Sequence, residues 1–337
     1  MQLNTAEPSV VIASPCEEPR TGQISLDSDF VSGKALQQTP CMLEATTRVH
    51  RALNVWTADY PVISTGVGAD RLRWSVIAMT TCFDGVSDDI LIDLAILCAI
   101  LFGYDDVMDG RYQLVDLEVL ADFNAECLSV FEFSQVRPDK QIDPEPVSQF
   151  LAALADCGRR LRQYQHFEGY RAQLLAYLGA TFRSNLQEAA WRLGQDKWPT
   201  VDRYLDNARR SLFEPVFRWF ALSMVGPDAV QRHMTNRFAT VALDAAWCMR
   251  VSNDISGLDR DRREGVPNVV SLLAKERDCS LSAAADVLRR WLHRRMTGLS
   301  SYFEDVPQEM FEHYRWLART VQFMCFWYLN HRDYELG

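Results

Sequence analysis

The chain has 337 residues, of which 48% are hydrophobic, and its formal net charge is −10 at pH 7. Such a chain can bury one large core or two small ones, and its acidic balance argues against nucleic acid as a partner. Nine cysteines without a CxxC pair argue against a disulfide framework or a zinc site, so we expect reduced thiols in the cytoplasm. The sequence shows neither a signal peptide nor a transmembrane run, so we expect no stable membrane insertion.

Residues 1–42 contain four prolines and several serines and threonines, which predicts a disordered N-terminal tail. From residue 43 to residue 337, apolar residues recur with helical spacing, and segments rich in Gly or Pro separate the helices. This pattern predicts a single all-α domain of long helices around a central apolar cavity. Candidate helices lie near 42–56, 69–83, 88–104, 114–134, 145–163, 167–191, 200–225, 228–255, 267–276, 281–303 and 308–332.

Three acidic residues follow the apolar candidate helix at 88–104. Asp105 and Asp109 share one helix face because they are four residues apart, and Asp106 lies beside them. Their charges repel one another, and the helix dipole is also negative at this end, so capping does not explain them. Mg²⁺ binds a few carboxylates together with phosphate oxygens. The group therefore predicts a magnesium site, and an ordinary acidic helix end is the alternative.

Pro215 lies inside the candidate helix at 200–225. It removes one backbone hydrogen bond and clashes with the preceding turn, so we predict a kink at this point. The carbonyl oxygens freed near residues 211–214 would then face the cavity.

A second polar stretch follows the apolar residues 241–249. Asn253, Gly257 and Asp261 recur every four residues and therefore line one stripe of a helix. An amide oxygen and a carboxylate on this stripe can bind one Mg²⁺, and the missing side chain at Gly257 leaves room for a water ligand. Two oxygen-rich sites on separate helices predict that a multiply charged anion is held between them.

Together the two motifs resemble those of class I terpene synthases (terpene cyclases) of the microbial single-domain type. The aspartate-rich motif DDxxD is matched in full at residues 105–109. The second motif of that family, N/D-D-x-x-S/T-x-x-x-E, begins here at Asn253, with Gly257 in place of Ser or Thr and Asp261 in place of Glu. The resemblance covers roughly residues 45–334. It implies the helical bundle of the class I terpenoid synthases and a cofactor of three Mg²⁺ ions.

The resemblance also implies roles for residues outside the two motifs. In the family's broken helix an arginine senses diphosphate, and this match makes Arg210 the sensor, Phe213 the linker and Glu214 the effector. Glycine is frequent at the effector position, so Glu214 departs from the family pattern. The freed carbonyls at the break would stabilise a carbocation. The other predicted diphosphate contacts are Arg260, Arg332 and Tyr334.

Aromatic residues lie near both motifs and on the last helix. Their ring faces attract cations by about 0.5–2 kcal/mol each and cannot quench a carbocation as a base would. Phe102 lies one turn before Asp106, and Trp247 precedes the second motif. Trp327 is the candidate on the last helix, together with Phe323 and Phe326. Core packing explains any one of them equally well.

The reaction implied by the resemblance begins when Mg²⁺ and arginines help diphosphate to leave a linear prenyl diphosphate. Farnesyl or geranylgeranyl diphosphate is the expected substrate, and the carbocation cyclises to a terpene hydrocarbon or alcohol. The enzyme would then be a carbon–oxygen lyase acting on phosphates. Homodimers are common in the family, so a homodimer is one candidate assembly.

Two other functions stay open at this point. The sequence DDVMDG at 105–110 also resembles the first motif of chain-elongating prenyl diphosphate synthases. Those enzymes carry a second DDxxD, whereas this chain has Asn253 and Gly257 in the corresponding stretch. A catalytically inactive helical binding protein is the other alternative, because Gly257, Asp261 and Glu214 all depart from the family pattern.

Overall fold

The computed structural model describes residues 40–112, 114, 116–136, 145–226, 232–303 and 306–330. The predicted N-terminal tail lies outside these residues, except that residues 40–42 form the first turn of a helix. Arg332 and Tyr334, which were predicted to contact diphosphate, also lie outside them. These assignments therefore stay predictions.

The described residues form helices and no strand, so the all-α prediction is confirmed. None of the described helices is long and apolar enough to cross a membrane. A π-helical turn lies at Val62–Val67, and short 3₁₀ turns lie at Ser301–Phe303 and Gln308–Met310. The α-helices are α1 (Pro40–Ala58), α2 (Ala69–Cys82), α3 (Asp88–Met108), α4 (Leu117–Phe133), α5 (Glu145–Leu161), α6 (Phe167–Arg192), α7 (Val201–Ser211), α8 (Glu214–Val225), α9 (Arg232–Glu264), α10 (Val269–Glu276), α11 (Leu281–Ser300) and α12 (Phe311–Asn330).

The predicted kink at Pro215 is a complete break between two helices. α7 ends at Ser211, and α8 begins at Glu214. Pro215 lies in the first turn of α8, where its missing N–H has no helical partner to lose. The proline thus starts a new helix instead of bending a continuous one.

Helix α9 is longer than the sequence pattern predicts. It runs for 33 residues to Glu264 and therefore contains the whole second motif. Asn253, Gly257 and Asp261 accordingly lie on one helical stripe. Asn268 caps the next helix, α10, by accepting a hydrogen bond from the N–H of Val270.

The apolar run of α3 places this helix in the core. Leu94, Ala95 and Ile96 are fully buried, and each buried Leu or Ile stabilises the fold by roughly 1.5–3 kcal/mol. α3 packs against α1, α2, α5 and α8, while α9 packs against α7, α8, α11 and α12. Packing on both helices fixes where their polar ends lie.

Candidate active site

A polar cavity of about 300 Å³ lies between the C-terminal end of α3 and the last part of α9. Asp105 and Asp109 reach it from α3, and Asn253 and Asp261 reach it from α9. Its remaining walls come from α2, α6, α7, α12 and the loop before α10. The fold thus brings both predicted oxygen-rich groups to one cavity, although they are far apart in the chain.

The carboxylates of α3 crowd one another in this polar cavity. Burial, and next the charge of Asp109, raise the pKa of Asp105 well above its usual value. Burial raises the pKa of Asp109 to about 6, and the charge of Glu188 acts in the same direction while Arg192 opposes it. Solvent still reaches Asp109 at the mouth of the cavity, which moderates the effect. A cation placed here would relieve this repulsion.

Asp106 does not face the polar cavity. Its two carboxylate oxygens bind Arg71 Nη1 at 2.9 Å and Arg111 Nη1 at 2.7 Å, and its side chain is buried. The expectation that Asp106 points toward a metal is therefore not met in this structure. Its role is to hold two arginines against the end of α3, and one of them, Arg71, lines the polar cavity.

The guanidinium of Arg260 lies between the side chains of Asn253 and Asp261 in the second motif. Its Nε lies 3.1 Å from Asp261 Oδ1, and its Nη2 lies 3.4 Å from Asn253 Oδ1. A Cβ atom added to Gly257 would lie 2.7 Å from Arg260 Nη2. The space beside Gly257, predicted to hold a water ligand, is thus taken by a guanidinium. Asn268 Nδ2 holds the other oxygen of Asp261 at 2.8 Å.

Arg210 points away from the polar cavity. Its Nη1 lies 2.7 Å from Asp206 Oδ2 on the surface of α7, so the side chain does not take the predicted sensor position. The carbonyl of Ser211 at the helix break accepts a hydrogen bond from Asn185 Nδ2 at 3.1 Å. This freed carbonyl is therefore already paired, because a polar side chain on α6 takes the place of the lost helical donor.

An apolar chamber of about 100 Å³ adjoins the polar cavity and corresponds to the predicted central apolar cavity. The two spaces share five lining residues: Phe102, Asp105, Leu212, Phe213 and Tyr328. Phe102 and Phe213 thus lie between the polar cavity and the apolar chamber, and their catalytic roles stay predictions. Glu214 also lines this chamber, where it forms a buried ion pair with Arg218 instead of facing the polar cavity.

Two predicted aromatic residues lie elsewhere. Trp327 stacks on Phe323, with ring centroids 5.8 Å apart, and does not line the chamber; its neighbour Tyr328 does. Trp247 lies in a separate surface groove, with the guanidinium of Arg295 4.7 Å from its ring centroid. Each step of one residue along a helix rotates the side-chain direction by about 100°. Nearness in sequence therefore did not predict which aromatic side chains face the chamber.

A model of terpene synthase family 2, C-terminal metal binding, matches residues 97–298. The match covers more than half of the chain and includes the residues of both motifs. The chain belongs to terpene synthase family 2. The resemblance to class I terpene synthases, expected from the two motifs, is thereby confirmed.

Several known terpene synthases are similar to this family member. The chloroplastic ent-kaurene synthase 1 of Isodon eriocalyx is 26% identical over 197 residues, which cover 57% of this chain and 23% of that protein. The linalool/nerolidol synthase of Streptomyces clavuligerus superposes with a TM-score of 0.67 at 13% identity, covering 86% of this chain and 96% of that one. The isoprene synthase of grey poplar, in complex with three Mg²⁺ ions and dimethylallyl-S-thiolodiphosphate, gives a TM-score of 0.67 at 17% identity over 83% of this chain.

The chain spans about a quarter of the length of its curated plant relative and about half of the poplar enzyme. Its likeness to the solved structures shows the fold, which is the class I terpene synthase fold predicted from the sequence.

The polar cavity of this family member contains residues that sequence reasoning missed. Glu188 and Arg192 reach it from α6. Arg192 Nη2 donates to the carbonyl of Met108 at 2.7 Å and so ties α6 to the end of α3. Arg250 lies 3.3 Å from Glu188 Oε2 and 3.0 Å from Asp254 Oδ1. One face of α6 carries three polar residues at helical spacing, Asn185, Glu188 and Arg192. This pattern in the sequence could have indicated that α6 contributes to the polar cavity.

The donor set suits a hard divalent ion that shares its ligands with an anion. Among the residues that the structure describes, no three His, Cys, Asp or Glu side chains come together closely enough to hold a metal unaided. Mg²⁺ needs no such cage, because it keeps several waters and binds through one or two carboxylates and substrate phosphates. The crowded Asp105 and Asp109, with Asn253 and Asp261 opposite, fit that requirement.

Proposed function

We propose that this protein is a Mg²⁺-dependent class I terpene cyclase. Its substrate is a linear prenyl diphosphate, farnesyl or geranylgeranyl diphosphate, and its products are a terpene hydrocarbon or alcohol and diphosphate. The reaction is thus that of a carbon–oxygen lyase acting on phosphates. One observation carries the proposal: Asp105, Asp109, Asn253 and Asp261 line a polar cavity that adjoins an apolar chamber and shares part of its wall.

Mg²⁺ would be held by Asp105 and Asp109 on one side of the polar cavity and by Asn253 and Asp261 on the other. Bound Mg²⁺ supplies charge neutralisation for a departing diphosphate. The complex of poplar isoprene synthase with three Mg²⁺ ions and a thiolodiphosphate supports the same number of ions here.

The remaining chemistry belongs to residues of the walls. Arg71, Arg192 and Arg260 line the polar cavity and place positive charge around the diphosphate group. The prenyl tail enters the apolar chamber past Phe102 and Phe213, whose rings favour a positive charge beside them. Apolar walls also exclude water, so the carbocation can react within its own chain before hydrolysis.

Incubation with each of the linear C10, C15, C20 and C25 prenyl diphosphates in the presence of Mg²⁺, followed by analysis of extracted products, tests the proposal. We expect a cyclic hydrocarbon or alcohol from one of them, with diphosphate released in equal amount. Elongation only when isopentenyl diphosphate is added would instead identify a chain-elongating synthase. Binding without turnover would identify an inactive protein.

Replacing Asp105 or Asn253 with Ala removes an oxygen donor from one side of the polar cavity. We expect each variant to lose at least about 100-fold in turnover, as when one electrostatic partner of a transition state is deleted. Circular dichroism should show unchanged helical content. Asp88→Ala is the matched control, because it removes a carboxylate from the exposed far end of the same helix. Full turnover in both Asp105→Ala and Asn253→Ala would show that the metal assignment is wrong.

A further inference from the structure

A buried ion pair lies in the wall of the apolar chamber. Arg218 Nε lies 2.7 Å from Glu214 Oε1, and the two side chains are only 2% and 4% exposed. Both residues line the chamber, and they occupy successive turns at the start of α8. Desolvating two charges is costly, and an apolar pair of similar volume is often equally stable or more so. Stability alone therefore does not explain why this pair is here.

The hydrogen-bonding capacity of the pair is incompletely used. Arg218 Nη2 donates to Thr320 Oγ1 at 3.0 Å, and the guanidinium lies 4.6 Å from the ring centroid of Phe83. Among the described residues, Arg218 Nη1 has no hydrogen-bond partner, and Glu214 Oε2 has only a long contact of 3.5 Å with Arg218 Nη2. Buried polar atoms are normally paired. The carboxylate of Glu214 thus lies in the chamber wall with one of its oxygens, Oε2, only weakly held by Arg218.

Among the described residues, Asp105 is the only carboxylate besides Glu214 in the chamber wall. Most of its side chains are apolar, including Trp74, Leu101 and Met249. Burial raises the pKa of the Cys82 thiol to about 12, so this thiol stays protonated. Asp105, the other carboxylate of the wall, also lines the polar cavity, where the proposed function uses it.

We propose that Glu214 is the terminal base of the cyclisation, with Arg218 as its positioning residue. The inference rests on the proposed function. Diphosphate leaves with the electron pair of the C–O bond, and the carbocation cyclises. Glu214 Oε2 then takes a proton from the carbon next to the final cationic carbon, and the C–H electron pair becomes the new C=C bond. The product is a hydrocarbon, and Glu214 returns the proton to water when the product leaves.

Electrostatics support this assignment. Burial raises the pKa of Glu214 to about 7, although the charge of Arg218 opposes the shift. A carboxyl with this pKa takes a proton from a carbocation and releases it again near neutral pH. Ion pairing with Arg218 also withdraws electron density from the carboxylate, which disfavours ester formation with the cation.

Glu214→Gln tests the proposal, because the amide keeps the shape of the side chain and cannot act as a base. Wild type and variant are given Mg²⁺ and the prenyl diphosphate that the wild type cyclises; released diphosphate and the composition of products are measured. We expect diphosphate release to stay within about threefold of the wild type while the share of the main hydrocarbon falls at least about tenfold, since general base catalysis is lost. Isomers or water-quenched alcohols should replace it.

Two further variants separate chemistry from folding. Glu214→Gln combined with Arg218→Met removes both charges and so leaves no unpaired buried cation; it should show the same change of products. Asp93→Asn is the matched control, since Asp93 is a buried carboxylate paired with Arg160 at 2.5 Å outside the chamber. It should keep the wild-type products.

The proposal is overturned if either Glu214 variant folds, releases diphosphate and keeps the wild-type product composition. The proposed function would then stand, because ionisation and cyclisation persist. A wild-type protein that ionises none of the prenyl diphosphates would overturn both proposals.

Discussion

At the second motif, the guanidinium of Arg260 lies between Asn253 and Asp261, in the space that Gly257 leaves open. A side chain at position 257 would meet this guanidinium, so glycine and arginine act as a pair here. The cationic group offsets the charge of Asp261. Under the proposed function, a divalent ion held by the same oxygens would displace this guanidinium, and Arg260 would then be placed to contact the diphosphate.

Replacing Gly257 with Ser adds a hydroxyl on the stripe that is proposed to bind metal, and it pushes Arg260 aside. The contact is with the far end of a flexible side chain, so we expect stability to change by less than about 1 kcal/mol. The Mg²⁺ concentration that gives half-maximal turnover should fall, because the hydroxyl adds an oxygen donor and the competing cation moves. Gly298→Ser on α11, where an added Cβ meets nothing, should leave it unchanged. An unchanged Mg²⁺ requirement in Gly257→Ser would contradict this account.

At the scale of elements, helix α12 carries an ionisable group into the core. His313 is buried, and its ring lies 5.0 Å from that of Trp316. Burial, and next the charge of Arg218, lower the pKa of His313 from 6.5 to about 3. The unfolded chain therefore binds a proton near pH 6.5, while the folded protein does so only near pH 3. His313 contributes stability above pH 6.5, and this contribution is lost as the pH falls toward 3.

His313→Gln should remove this part of the acid sensitivity. Between pH 6 and pH 4, the free energy of unfolding of the wild type should fall by up to about 1.4 kcal/mol per pH unit more than that of the variant. Urea unfolding followed by circular dichroism at several pH values measures the difference. His293→Gln changes an exposed histidine on α11 and should keep the wild-type pH dependence. Parallel pH profiles for wild type and His313→Gln would contradict a buried neutral imidazole.

Local patterns predicted the parts of the site that depend on one helix. The apolar run and the four-residue spacing of Asp105 and Asp109 are both visible in the sequence, and so is the helix break at Pro215. The prediction that Arg210 points into the cavity was wrong, because its side chain forms a surface ion pair with Asp206, one turn earlier in α7. Such i,i+4 pairs can be read from sequence, and this one competes with the sensor role.

Partners from distant helices could not be predicted in the same way. Asp106 forms an ion pair with Arg71 of α2. Glu214 forms an ion pair with Arg218, which in turn donates a hydrogen bond to Thr320 of α12. These contacts depend on how whole helices pack. The angle between two packed helices and the rotation of each helix about its own axis cannot be read from the residue spacing within one helix.

At the scale of the whole molecule, the polar cavity exists because α3 and α9 are both fixed in one packed core. The charges that meet there are opposite in sign but incompletely balanced. Asp105, Asp109 and Glu188 gather beside Arg192 and Arg250, so a cation and an anion that bind together satisfy both sets. Neither ligand alone does so. A cation alone would leave the arginines repelling one another, and an anion alone would leave the carboxylates repelling one another.

Mg²⁺ and inorganic diphosphate should therefore stabilise the protein cooperatively. A ligand pair at 100 times its dissociation constant adds about 2.7 kcal/mol to the free energy of unfolding, which corresponds to a rise of several degrees in Tm. Thermal unfolding with Mg²⁺ alone, diphosphate alone and both together measures this effect, and we expect the rise with both to exceed the sum of the separate rises. Asp105→Ala should lose the excess, whereas Asp88→Ala should retain it. Strictly additive shifts in the wild type would mean that the two motifs do not hold one metal–diphosphate complex, because shared ligands make the binding of each component depend on the other.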